Sequence, residues 1–227
     1  LAMPMLIFGI IFSFQKRPAI KGIGNVLAGL GFFFLGIHYM KEGFDVFKDY
    51  VDLSQYAVSG FLGVLIYTGL GIIITTILQS SSATLALILT ALSAGQIEYE
   101  NALALAIGAN VGTTITAILG SLGSNVSGRR LAGAHFVFNV VTGVVALVFI
   151  YPLANLVNKI SELVNIGATD YTLKLAVFHT IFNVVGVIIM IPFIKTLGRF
   201  LIRFFQEQKD KDINEPKYLN EAVLKFP

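Results

Sequence analysis

From Leu53 to Ile97 the chain carries no charged residue, yet the middle of that stretch reads Gln79-Ser80-Ser81-Ser82. Phe61 to Leu78 ahead of it and Ala83 to Ala94 behind it are strongly apolar. Four consecutive polar side chains at such a place are costly in lipid unless they face protein, water or a ligand. A second interruption, Gly108-Ala109-Asn110-Val111-Gly112-Thr113-Thr114, follows in the next apolar segment. Two polar breaks in neighbouring membrane segments are the pattern of a buried solute or ion site.

Composition agrees with a lipid setting. Hydrophobic residues make up 56% of the chain and charged residues 13%, about half the share of roughly 25% in soluble domains. The chain has no cysteine, which excludes disulfides, thiolate metal sites and cysteine nucleophiles. No cleavable signal is visible, and the opening on Leu1 in mid-hydrophobic pattern reads as a segment of something longer.

A crossing takes about 20 apolar residues. Candidate segments are Leu1–Phe14, Gly22–Met40, Ser59–Leu78 with Ala83–Gly95, Asn101–Leu122, Leu131–Tyr151 and Leu173–Leu197. Positive loops belong in the cytoplasm. Lys16, Arg17 and Lys21 meet that rule together with Arg129 and Arg130 only if the chain re-emerges after Ser82 on the side it entered. The limb from Ala83 to Gly95, at about 1.5 Å per residue, reaches roughly 20 Å and falls short of a core roughly 30 Å thick. The expected fold is therefore an all-α integral membrane protein of polytopic helices, with one re-entrant helical hairpin tipped by Gln79–Ser82. One broken helix, interrupted at Gly108–Gly112, follows it. Residues 1–206 form the membrane domain and 207–227 a polar cytoplasmic tail or linker, in the plasma membrane.

At the hairpin tip Ser80, Ser81 and Ser82 can cap the second limb, whose first N–H groups carry partial positive charge and bind anions without a lysine or arginine. Gln79 adds two donors and an acceptor. At the second interruption the glycines allow the backbone to leave helical geometry. Asn110, Thr113, Thr114 and Thr116 then offer neutral oxygens beside freed carbonyls, suited to a small hard cation. No Asp, Glu, Lys or Arg lies between Asn101 and Gly128, whereas a proton relay wants an intramembrane carboxylate. Sodium fits such a site, and its charge would offset that of a co-bound anion. The alternative is that these hydroxyls bond back to helix carbonyls and glue helices together.

At these residues the chain resembles the type II sodium/phosphate cotransporter family. The match comprises Gln79-Ser80-Ser81-Ser82-Ala83-Thr84, Gly108 to Thr114 with Thr116, and Arg129-Arg130 before Ala134-His135 and Phe138-Asn139. The resemblance implies sodium-coupled import of inorganic phosphate by alternating access, with Na+ as coupling ion and no cofactor. It implies sodium coordination at Gln79, Ser80, Thr113 and Thr116, and phosphate contact at Ser81, Ser82, Asn110 and Thr114. Family members carry two inverted repeats, each with a QSSS hairpin, and one copy is present here. The chain thus resembles half of an inverted-repeat transporter, completed by a first repeat or by a second copy of itself. Implied partners are phosphate, sodium, membrane lipid and a PhoU-like regulatory domain beyond the tail. No nucleic-acid motif is present.

Two competing readings differ in class. A channel-like or assembly subunit would line a pore with the re-entrant hairpin. An intramembrane serine hydrolase would need the Gly-x-Ser-x-Gly elbow and an acid to orient a histidine, and the chain lacks both.

Two further patterns stand apart. His135-Phe136-Val137-Phe138-Asn139 is echoed by His179-Thr180-Ile181-Phe182-Asn183, placing His and Asn one turn apart on one helix face. That echo predicts interhelical hydrogen bonding between two similar helices. Lys195, Arg199 and Arg203 recur every four residues with aromatics between them, as in a basic helix along the inner membrane surface or a snorkelling helix end.

Overall fold

A computed structural model describes residues 1–48, 58 and 60–206; the tail 207–227 lies outside the described residues. The chain order is α1 (Ala2–Ser13), α2 (Pro18–Lys48), α3 (Gly60–Leu78), α4 (Ser81–Ser93), α5 (Tyr99–Ser121), α6 (Val126–Val148), α7 (Ile150–Leu163) and α8 (Tyr171–Met190). A single 3-10 turn, Ile191–Phe193, then leads into α9 (Ile194–Phe204). Five stretches among the described residues are long and apolar enough to cross a bilayer: Pro18–Val46, Gly60–Leu78, Tyr99–Ser121, Val126–Val148 and Tyr171–Phe204. The protein is an all-α, multi-pass membrane protein.

The faces of α3 show why lipid is its solvent. Its buried stripe is Gly63, Val64, Thr68, Gly71 and Thr75, while Leu62, Ile66, Ile73 and Ile77 are exposed. Small and polar groups point inward and large aliphatic ones outward, the reverse of a water-soluble helix and the usual arrangement for membrane packing.

Helix α5 is the hub. Every residue from Asn101 to Ala109 is buried, and α3, α4, α6 and α8 all pack against it. Thr68 Oγ1, which donates to Val64 O at 2.7 Å, lies 3.3 Å from Ala104 O; Gly71 meets Leu105 and Ala109, and Ile72 and Thr75 meet Gly112. Contacts therefore advance in step along both helices, so α3 and α5 run parallel. Parallel neighbours need a return limb, and α4 is that limb.

The helix expected to break at Gly108–Gly112 is continuous. Its glycines serve a different purpose from unwinding. A Cβ at Gly108 would collide with Thr68 O, one at Gly71 with Leu105 O, and one at Gly112 would lie 2.8 Å from Ile72 O and from Thr75 Cβ. The Gly-x-x-x-Gly spacing lets two backbones touch, as small-residue helix pairs in membranes do. Once packed so closely, the helix has no reason to open.

Two other boundaries differ from expectation. The stretch from Lys41, expected as loop, stays helical to Lys48 at the end of α2. Between Tyr151 and Leu173, where no helix was expected, α7 forms as an amphipathic surface helix burying Ile150, Leu153, Val157 and Ser161. Its Tyr151 hydroxyl donates to Glu100 Oε1 at 2.7 Å, tying α7 to the start of α5. That bond raises the tyrosine pKa above its ordinary value.

Candidate functional site at the hairpin tip

The turn between α3 and α4 is built from local chemistry. Gln79 takes φ 53°, the left-handed conformation that ends α3. Ser80 is extended, with φ −151° and ψ 111°, and its Oγ accepts from Ala83 N–H. This is an N-cap, the role its residue type favours. Behind it the Thr75 hydroxyl donates to Thr84 Oγ1 at 3.0 Å, and Thr84 Oγ1 donates in turn to Ser80 O at 3.0 Å. Thr75 and Thr84 are fully buried, so this relay clamps the two limbs together. Sequence reasoning missed that clamp; its signal was one threonine on each side of the serine run.

The limb leading to the tip packs on the C-terminal half of α5. Thr75 packs on Gly112, and Gln79 sits four residues, about 6 Å, farther along the same parallel direction. Thr116 follows Gly112 by one turn on nearly the same face, at about 40° by helical geometry. Gln79 is exposed, and Thr113 and Thr116 are half-buried.

Asn110 lies on the other side of α5, about 200° around from Gly108 and Gly112. Its Nδ2 donates to Asn139 Oδ1 at 3.0 Å and to Asn183 Oδ1 at 2.9 Å. Asn139 and Asn183 in turn donate their own Nδ2 to His135 O and His179 O. The network admits one amide orientation. A backbone carbonyl only accepts, so both partners must present Oδ1 to Asn110, and Asn110 must answer with N–H. The echoed His–Asn pairs do join α6 and α8 as expected, but through a third helix and a shared asparagine.

The threonines sort the same way. Thr113, Thr114 and Thr116 donate their hydroxyl hydrogens to Asn110 O, Val111 O and Thr113 O, at 2.6, 2.6 and 2.7 Å. Each keeps lone pairs and has no hydrogen left to give an anion. Since α5 is unbroken, no freed carbonyls lie beside them. Ser81 is half-buried and its hydroxyl has no hydrogen-bond partner among the described residues. Ser82 is exposed and lines a cavity of about 440 Å³ with Phe33, Ile37 and Thr90, on the α2 side of α4. The structure brings Gln79, Ser80 and Ser81 together in the turn, while Thr113 and Thr116 stand half-buried on α5. It sets Asn110 and Ser82 on other faces and buries Thr114 completely.

Apolar spans joined through a capped polar turn make this a polytopic membrane protein. Residues 56–211 match the family model described as Na+/Pi-cotransporter, and the chain belongs to that family of transporters, which are not enzymes. Among its relatives, the chain is 29% identical over 227 residues to YjbB of Salmonella typhimurium, whose name marks it as a candidate inorganic phosphate export protein. That alignment covers 99% of this chain and 40% of YjbB. A second relative is the uncharacterized YqeW of Bacillus subtilis, 26% identical across 69% of this chain and 51% of that protein. Sodium-dependent phosphate transport protein 2C of Mus musculus is 39% identical over 87 residues, which is 37% of this chain and 14% of that protein. The chain spans about two fifths of the length of YjbB. No solved structure gives a significant match.

Proposed function

We propose that this chain forms one half of a sodium-coupled phosphate symporter of the plasma membrane, working by alternating access, with α3 and α4 as a re-entrant hairpin. The observation that carries the reading is the sorting of hydrogens around the tip. The Ser81 hydroxyl and the first N–H groups of α4 have hydrogens to offer, as an oxyanion requires. Thr113 and Thr116, their hydrogens spent within α5, offer lone pairs, as a cation requires. Phosphate then sits at the start of α4 against Ser81, with Ser82 at the rim. Sodium sits between Gln79, Ser80, Thr113 and Thr116, where its charge offsets the anion's.

Asn110 and Thr114, which the family resemblance puts with phosphate, take a different part in this proposal. Both have committed their hydrogens inside the protein, and Asn110 acts as a tie among α5, α6 and α8. The remaining length of relatives such as YjbB is where the second half of the site would come from. A second copy of this chain is the other source.

The name of YjbB speaks of export, and that of the Mus musculus relative states sodium dependence without a direction. A symporter runs down the combined gradients of its two solutes, so coupling and direction are separate questions. The test is radiolabelled phosphate flux in vesicles carrying the full-length protein, with sodium or choline on either side. We expect phosphate to follow an imposed sodium gradient inward or outward, and flux to fall at least tenfold in Gln79→Ala and Ser81→Ala. Flux indifferent to sodium would overturn the proposal.

A further inference from the structure

We propose that α9 is an interfacial helix that docks on the anionic lipid surface of the membrane face carrying Arg129 and Arg130. Three observations meet here. First, α8 alone has 20 residues and so reaches about 30 Å, the full thickness of the hydrocarbon core. The 3-10 turn with Pro192 interrupts the helix at that point, so α9 begins where the core ends.

Second, α9 divides cleanly around its axis. At 100° per residue, Lys195, Arg199, Arg203 and Thr196 occupy one arc of about 100°, and every other residue from Ile194 to Phe205 is apolar or glycine. Leu201 is buried, and Leu201 and Phe205 are the side chains that come against Gly133 of α6. On the flank between that packed seam and the basic arc, Phe193, Phe200 and Phe204 are exposed. Exposed aromatics beside an exposed cationic stripe match the boundary between acyl chains and phosphate head groups.

Third, the helix is fixed at that depth from its far end. Arg130 at the start of α6 donates from Nε and Nη2 to Phe205 O, at 3.1 and 2.8 Å. The guanidinium binds a carbonyl just past the end of α9, where the helix dipole favours a cation. Between that anchor and α8, the chain arches away from α6 over an apolar cleft of about 780 Å³, walled by Leu131, Phe138, Met190, Ile194 and Leu197. Acyl chains entering beneath the charged stripe would meet hydrocarbon.

Charge complementarity selects the occupant. The side chains of α9 include three cations and no acid, which favours net-anionic lipid by roughly fivefold per basic residue. These 227 residues hold no cysteine, and one spin label is placed at Phe200→Cys or Arg199→Cys in the full-length protein on a cysteine-free background. In nanodiscs containing phosphatidylglycerol we expect the label at position 200 to be accessible to oxygen and shielded from a water-soluble nickel reagent, with the reverse at 199. In a Lys195→Gln, Arg199→Gln, Arg203→Gln triple variant carrying the label at 200, enrichment of phosphatidylglycerol over phosphatidylcholine around the helix should fall at least tenfold. A label at 200 open to the nickel reagent in both lipids would overturn the proposal. So would one shielded equally in phosphatidylcholine alone with no lipid preference to lose, which would indicate a protein partner on this face.

Discussion

Asn110 illustrates how a residue's role depends on where its hydrogens go. Its type and neighbours suggested a ligand, and its identity as a polar group inside an apolar helix was legible in the sequence. What could not be read there is that Asn139 and Asn183 converge on it from two other helices. The half of the pattern that was visible, His and Asn repeated one turn apart, lacked its third member because α5 carries no such echo. Asn110→Ala takes the donor from the buried Asn139 and the half-buried Asn183 oxygens. At about 0.6 kcal/mol per interhelical bond in a membrane, plus the loss from unsatisfied oxygens, the expected destabilisation is about 1–3 kcal/mol. This is measurable as a lowered unfolding midpoint in micelles. Phosphate affinity of the folded fraction should change less than twofold. A tenfold loss of affinity at unchanged stability would make Asn110 a ligand after all.

Elements were the easier part to foresee. Apolar stretches of the right length located α3 and α5 to within two residues and α6 to within five, while Leu173–Leu197 ran past the end of α8 at Met190. The turn at Gln79–Ser80 was legible because a serine run between two apolar segments has few structural uses. The continuity of α5 was not legible, because Gly-x-x-x-Gly fits two opposite purposes: permitting an unwound backbone, or permitting a second backbone to come close. Only the neighbour decides, and the neighbour is α3, through Gly71 against Leu105 and Gly108 against Thr68. Helix α7 was overlooked because its stripe of Ile150, Leu153, Val157 and Ser161 is short and framed by polar residues. The packing account makes a paired prediction on one helix. Gly108→Ala drives a methyl into Thr68 O and should destabilise the protein by about 1–3 kcal/mol, the usual range for overpacking. Gly120→Ala meets open space and should be neutral, or stabilising by up to about 1 kcal/mol from reduced chain entropy. Equal effects of the two in a thermal unfolding series would mean that α3 and α5 are not in backbone contact.

For the whole molecule, the architecture packs the hairpin of α3 and α4 on α5, whose Thr113 and Thr116 give their hydrogens to the helix's own carbonyls. Helix α4 has 13 residues and reaches only about 20 Å, so in the proposed re-entrant arrangement its capped end stays inside the bilayer. Desolvated there, an oxyanion held by neutral dipoles alone would be poorly balanced, so binding of the anion and of sodium should be strongly linked. Linkage is reciprocal: the factor by which sodium tightens phosphate equals the factor by which phosphate tightens sodium. The measurement that tests this most directly is equilibrium binding of radiolabelled phosphate to the purified full-length protein across a sodium titration, with wild type beside Ser81→Ala and Thr116→Val. Phosphate affinity is expected to rise at least tenfold from choline to saturating sodium. Thr116→Val should weaken the sodium dependence, and Ser81→Ala should weaken phosphate at every sodium concentration. Phosphate bound equally well in choline and in sodium would contradict the account.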